Sequence, residues 1–285
     1  MIRLALDWWS YHNSLLAGRL DHETMIRRGA ELGAVGVSLE YFALPAAWRT
    51  NPVKLLQLQS EFRLEYTLGF GVPLSMPDAA WRLVGRELNS FWTLARRLRV
   101  RTVEARPAFY LPLPSLAPLY GGFSFTGRMQ MRWAAKRLAE FCDRAAEANL
   151  VVTFANQGVV GIQKLLWLVR RVDRDNLKVA LNTGQALAQG EDPYRLVDEF
   201  APLAATVFLQ DRVGMGLRTA GRPIGEGQID FREIFRLLAR HRFDGLCAVD
   251  VDLPLWNGRK EDKWVEKSFV HLVKLLEEPQ WQNEN

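Results

Sequence analysis

A chain of 285 residues with 48% hydrophobic and 24% charged residues is long enough for one large core and has the balance of an ordinary globular protein. Its net charge of +5 is scattered along helical patterns instead of gathered on one face or run, which argues against a nucleic-acid partner. The opening MIRLALDWWSYH is too short an apolar stretch for a signal peptide, and no run approaches a membrane span.

In chain order, short β-rich runs alternate with longer helical patterns. Arg3–Trp8 reads as the first strand, and DHETMIRRGAELGA follows as a helix capped at Asp21 or His22 and stopped at Gly33. Strands are predicted at Gly36–Tyr41, Glu65–Phe70 and Thr102–Arg106. The stretch from Pro107 to Gly127 reads as a long loop, since the alternation resumes in phase after it. RWAAKRLAEFCDRAAEAN spaces its apolar residues for one helix face. Further strands are expected at Leu150–Asn156, Lys178–Asn182 and Thr206–Gln210. DFREIFRLLARHRFDG reads as a helix with Asp230 as N-cap, Glu233 as its capping-box partner and a stop near Gly245. A last strand, Leu246–Val251, completes the set. Such alternation argues for parallel βα units, and eight of them close into a single-domain (β/α)8 TIM barrel of the α/β class, a fold of about 250 residues. The barrel is expected over 1–276, with 277–285 as a polar tail. Cys142 and Cys247, the two cysteines, sit in apolar runs without redox or metal spacing, which fits a reduced, cytoplasmic setting.

Four polar phrases close the apolar runs of the second half. They are VVTFANQG from Val151, VALNTGQALAQGEDP from Val179, ATVFLQDR from Ala205, and GRPIGEGQIDF from Gly221 running on to FDGLCAVDVD at Phe243. In order and spacing they resemble the sugar phosphate isomerase/epimerase superfamily, the xylose isomerase-like TIM barrels. The likeness covers most of the chain and is most specific from Val151 to Asp252. That group includes inosose dehydratases, hydroxypyruvate isomerases, keto-sugar 3-epimerases and, more distantly, endonuclease IV. Its usual strand ends read like LENHG, LDTGHA, HLKD and VEVD, and supply Glu, Asp, His and Glu to one divalent metal (manganese, magnesium or zinc). Here those positions fall on Ala155, Asn182, Phe208 and Asp250, and two His positions become Gln157 and Gln185. A hard cation needs charged oxygens, or imidazole if it is zinc-like. The resemblance implies the fold and a small sugar or polyol ligand; the substituted residues imply that the family's metal is absent from this position or relocated, and no other cofactor is expected.

In such barrels functional residues sit at the carboxyl ends of the strands. Strand two reads GVSLEY, so the family's acid position is Ser38, and Glu40 two residues on shares its side. In AVDVD, Asp250 and Asp252 likewise share a side. Glu40 and Asp250 form the candidate acid/base pair for isomerisation or elimination next to a carbonyl, with rim ion pairing as the structural reading. Asn156, Gln157, Asn182 and Gln185 form a candidate amide ring suited to neutral hydroxyls, or a network filling a redundant cavity. Arg106, Asp211 and Arg212 suit a carboxylate or phosphate, or pair with one another and with Glu104. His12 stands near the end of strand one as a candidate contact. Trp256, with Trp8, Trp9, Tyr11, Phe42, Phe109 and Tyr110, offers faces for a sugar ring or plugs for the mouth. The glycine-rich stretch Gly214 to Gly227 resembles a phosphate loop. Three functions follow: a sugar isomerase, epimerase or lyase, a non-catalytic sugar-binding barrel, or an endonuclease IV-like enzyme. The last needs a His-rich metal cluster, and this chain holds 4 His. The composition leaves a homo-oligomer open.

Overall fold

The computed structural model describes residues 2–71, 74, 78–105, 125–158, 160–216, 221–253 and 259–278. Eight parallel strands close into a barrel: β1 (Arg3–Asp7), β2 (Gly36–Glu40), β3 (Glu65–Phe70), β4 (Thr102–Ala105), β5 (Val151–Ala155), β6 (Leu177–Asn182), β7 (Ala204–Leu209) and β8 (Leu246–Val249). Each pairs with the next, and β8 returns to β1 with Ala5 beside Ala248. The fold is the expected (β/α)8 barrel, with strand ends shifted by no more than two residues, the ordinary uncertainty of boundaries. One register shift, between Val179 and Ala180, lets β7 start earlier than its apolar run suggests. Arg106 and most of the tail lie outside the described residues.

Helices run outside the strands, among them His22–Glu31, Val53–Phe62, Gly85–Arg97, Phe125–Ala146, Ile162–Val172, Pro193–Phe200, Phe231–Arg240 and Glu261–Leu276. Asp21 caps the first by accepting from Thr24 N, and Asp230 caps Phe231–Arg240 by accepting from Arg232 N at 2.9 Å. The expected capping box is only half formed. Glu233 turns to Arg236 at 2.5 and 2.7 Å, and the Asp230 N–H goes to the Tyr194 hydroxyl at 2.9 Å. That helix ends at Arg240, ahead of Gly245. Among the described residues no helix is long and apolar enough to cross a membrane.

The two-residue repeat of each strand separates two kinds of packing. Leu4, Leu6, Val37, Leu39, Leu68, Val152, Phe154, Val207 and Val249 face the helices and join the main core. Ala5, Ala155, Ala180, Phe208, Leu246 and Ala248 form a separate cluster inside the barrel. Four of these six are alanine, where branched aliphatics are usual. Cys142 and Cys247 are free and buried, and burial pushes both thiols up to about 12, so neither is a thiolate nucleophile at neutral pH.

The wall outside β3 is aromatic. Phe91 is fully buried, with ring centroids 4.9 Å from both Phe70 and Trp92 and 5.7 Å from Phe141. Three structural elements meet on this one ring. Phe91→Ala is therefore expected to lower unfolding free energy by about 3–5 kcal/mol, read from urea melts; a loss below about 1 kcal/mol would show that the cluster is not part of the cooperative core.

Candidate active site at the barrel mouth

The register carries one inward layer around the mouth. Asp7 pairs with Ser38, Glu40 with Gly69, and Gly69 with Glu104. Glu40 and Glu104 thus flank a glycine, which leaves open the space between their side chains. Asp7, Glu40, Glu104 and Asp250 are all buried, at 2%, 6%, 3% and 4% exposure, although they lie at strand ends. Buried carboxylates require nearby donors. Glu40 Oε1 accepts from the Gly71 N–H at 2.9 Å and the Phe42 N–H at 3.4 Å. The Phe42 ring packs on Tyr41 and Phe70 and is 42% exposed.

Asp250 is held from the opposite side. Asn182 ends β6 and also caps the next helix, its Oδ1 accepting from Gln185 N at 2.9 Å. That capping bond fixes the amide so that Nδ2 donates to Asp250 Oδ2 at 3.1 Å. Gln210, just past β7, donates Nε2 to the same oxygen at 3.1 Å. Gln210 is itself locked by Thr183, whose hydroxyl accepts from Gln210 N at 3.0 Å and donates to Gln210 O at 2.8 Å.

The network runs on toward β1. Arg212, 1% exposed, donates Nη2 to Gln210 Oε1 at 3.3 Å and to Asp252 Oδ2 at 3.1 Å. Asp252 Oδ1 accepts from Trp9 Nε1 at 3.2 Å, and Trp9 stacks on His12 at 4.1 Å. His12 Nδ1 donates to the Trp9 carbonyl at 2.5 Å, which fixes the ring. Asn182, Asp250, Gln210, Arg212, Asp252, Trp9 and His12 thus form one path across the ends of β6, β7, β8 and β1.

A family model described as a xylose isomerase-like TIM barrel matches residues 26–274. The chain belongs to that family. No curated protein matches it in sequence. It is similar to D-psicose 3-epimerase from Clostridium cellulolyticum H10, solved with D-tagatose, at TM-score 0.77 and 15% identity, covering 97% of this chain and 100% of that one. An L-ribulose 3-epimerase follows at TM-score 0.72 and 16% identity, covering 100% and 97%. The probable 3-DHS dehydratase AsbF from Bacillus anthracis gives TM-score 0.73 at 15% identity, covering 95% and 99%. At such identities the likeness is one of fold.

Within this xylose isomerase-like barrel, the four positions that the sequence resemblance set against the family's metal ligands lie close together at the mouth. Ala155, Asn182 and Phe208 lie on paired strands, and Asp250 reaches Asn182. Their chemistry does not fit a divalent cation. Ala155 and Phe208 belong to the interior apolar cluster. Asn182 has its amide oxygen on Gln185 N, and Asp250 Oδ2 faces two N–H donors where a cation would need bare lone pairs. Among the described residues no group of three or more His, Cys, Asp or Glu could hold a metal ion.

The remaining candidates divide. Asn156 is spent on backbone, accepting from Asn182 N at 2.6 Å and donating to Asn182 O at 3.0 Å. Gln157 is partly exposed, and Gln185 Oε1 accepts from Gly158 N at 3.4 Å, so of the four amides Asn182 alone touches an acid. Arg106, Trp256, Phe109 and Tyr110 lie outside the described residues, as do 217–220 of the glycine-rich stretch. Gln210 and Glu104 join the mouth without having been singled out as site residues. Strand parity was the signal for both, since each stands two residues from an inward neighbour.

Asp211 turns away from the path. Its Oδ1 accepts from Arg212 N and Ile229 N at 2.9 and 3.2 Å, and its Oδ2 from Gly225 N and Gly227 N at 3.0 and 2.9 Å. Burial raises its carboxyl above the usual range, against the pull of these four N–H groups. The residue clamps the loop after β7. Asp211→Asn turns one acceptor oxygen into an NH2 facing backbone donors, and is expected to cost about 1–3 kcal/mol of stability in urea melts. An unchanged midpoint would mean that the loop is held by other contacts.

Proposed function

We propose that this chain is an isomerase-, epimerase- or lyase-like enzyme that moves a proton next to a carbonyl of a sugar or polyol, with Glu40 and Asp250 as acid and base and without the family's divalent cation. One observation carries the reading: buried carboxylates on the inner face of the barrel, at its carboxyl-terminal mouth, each oriented by fixed N–H donors. β1 alone separates β2 from β8. With strands about 4.8 Å apart, the backbones bearing the two acids stand roughly 10 Å apart, a span that accommodates a sugar carbon skeleton between them. One carboxylate removes the proton from the carbon beside the carbonyl, and the other returns a proton to the opposite face or to the neighbouring carbon. Charge developing on the carbonyl oxygen then needs donors that do not have to reorganise. Arg212 and the amides of Asn182 and Gln210 supply them at the same end of the barrel. The fold neighbours named as 3-epimerases, and the one named as a probable dehydratase, support this class of reaction.

A sugar-binding barrel without chemistry is the second reading. It is favoured by the self-contained pairing of Asn182, whose amide oxygen and nitrogen both have protein partners. An endonuclease IV-like activity has no comparable support: His22, His241 and His271 sit on or beside outer helices, leaving His12 alone at the mouth.

Glu40→Gln and Asp250→Asn keep shape and hydrogen bonding, so folding is expected to hold while turnover falls by about two to four powers of ten. The assay is exchange of substrate hydrogen with heavy water, followed by NMR over keto-sugars, inososes and 3-keto-glycosides. Wild-type rates in both variants would move the catalysis to other groups, and no exchange with any compound would leave the binding barrel as the better reading. Elemental analysis of the purified chain is expected to find no stoichiometric manganese, magnesium or zinc. About one ion per chain, lost on Asp250→Ala, would overturn the metal-free mechanism.

A further inference from the structure

On the outer wall, helix Phe125–Ala146 places Arg132, Ala135, Lys136 and Ala139 on one face, at the spacing where side chains neighbour each other along a helix. Opposite them stand Arg171 and Val172, which end helix Ile162–Val172, and Arg174 in the turn before β6. These seven residues line a cleft of about 270 Å³. The cleft exists because Ala135 and Ala139 present methyl groups between two long cationic side chains. Ala135 and Val172 are buried and form an apolar floor; Arg132, Lys136, Arg171 and Arg174 form the walls, with no acid among the lining residues.

The four cations are unequally committed. Arg174 grips Asp143 at 2.6 and 3.3 Å and donates to the Val172 and Asp173 carbonyls at 3.2 Å, which closes the helix end. Lys136 holds Asp78 at 3.1 Å, but both side chains are more than half exposed, at 53% and 58%, and such a pair is easily exchanged. Arg132 and Arg171 are exposed and make no ion pair or hydrogen bond among the described residues. The dipole of helix Ile162–Val172 accounts for a cation at its own carboxyl end. It does not account for the two on the neighbouring helix converging on the same hollow.

An apolar floor with a few convergent charges is the make-up of a small-ligand site, and the volume lies at the small end of such sites. Guanidinium forks match phosphate oxygens, and a lysine adds a point charge. We propose that this cleft binds a small phosphorylated molecule through Arg132, Lys136 and Arg171. A hollow of this size favours a compact anion over the extended backbone of a nucleic acid. Arg174 leads into the amino end of β6, so the cleft lies toward the barrel end opposite the mouth and is independent of Glu40 and Asp250.

The test is calorimetric titration of the full chain with sodium pyrophosphate at about 0.15 M ionic strength, where long-range attraction is screened. Saturable binding of one pyrophosphate per chain is expected. Arg132→Gln combined with Arg171→Gln is expected to weaken it about tenfold or more. The circular dichroism spectrum and melting temperature should not change, because both side chains are exposed. The proposal falls if no saturable binding is seen, if the double variant binds as the wild type does, or if a single-stranded oligonucleotide binds where pyrophosphate does not.

Discussion

In a closed parallel barrel every strand is paired on both edges, so what remains for a residue to decide is which face it occupies. A slip of one residue in any pair would exchange the two faces entirely. Apart from the one shift between Val179 and Ala180, the register keeps its parity from Ala5 through Ser38, Thr67, Glu104, Ala155, Asn182 and Phe208 to Ala248, and back to Ala5. Packing of Leu6, Val37, Leu68, Phe154 and Val249 against the helices pins that register. The acids are carried inward by the same constraint. They are buried because their neighbours two residues back are small interior residues, and because the alternative face belongs to the helices.

Four buried carboxylates in one mouth oppose folding unless the mouth supplies hydrogen bonds. Backbone and amide groups do much of that here. Gly71 offers an N–H to Glu40 at a point where its missing side chain permits close approach: a Cβ there would stand 3.1 Å from Glu40 Oε1. Asn182 and Gln210 serve Asp250, and each is fixed by a second bond to the start of the helix that follows β6, through Gln185 N and the Thr183 hydroxyl. Local helix-capping chemistry thereby sets the position of the inward acid. The parity of β7 continues past its end, so that Asp211 faces the outer loop while Arg212 enters the barrel.

The strands could be read because their alternation is dense and their apolar face continuous, and strand-end phrases located Asn182 and Asp250 for the same reason. Backbone donors leave no such mark. Nothing in a sequence indicates that Gly225, Gly227 and Ile229 will turn their N–H groups onto Asp211, so its polar neighbourhood suggested a ligand contact where the structure has a loop clamp. Asn156 was ambiguous in a similar way, since an amide that serves hydroxyls serves an adjacent strand equally well. Glu233 stood at the capping-box position, but Arg236 one turn on offered a charge, which outcompetes a backbone N–H on an exposed face.

A cation and an amide network are two answers to one problem, that of holding an acid in place at the end of β8. They cannot be exchanged one residue at a time. Converting Asn182 to Asp would set a second carboxylate about 3.1 Å from Asp250 Oδ2, remove one of its donors, and raise the pKa of the pair by like-charge repulsion. A cation could relieve that repulsion only with further donors from β5 and β7, where Ala155 and Phe208 now complete an apolar cluster with Ala5, Ala180, Leu246 and Ala248. Placing Glu and His there would bury two more polar groups among those side chains at a cost each must recover from the metal itself. The apolar interior and the amide-bound acid therefore support each other. The layer beneath Asp250 projects no oxygen or nitrogen ligand from Ala155 or Phe208, and the acid above it is held by the amides of Asn182 and Gln210.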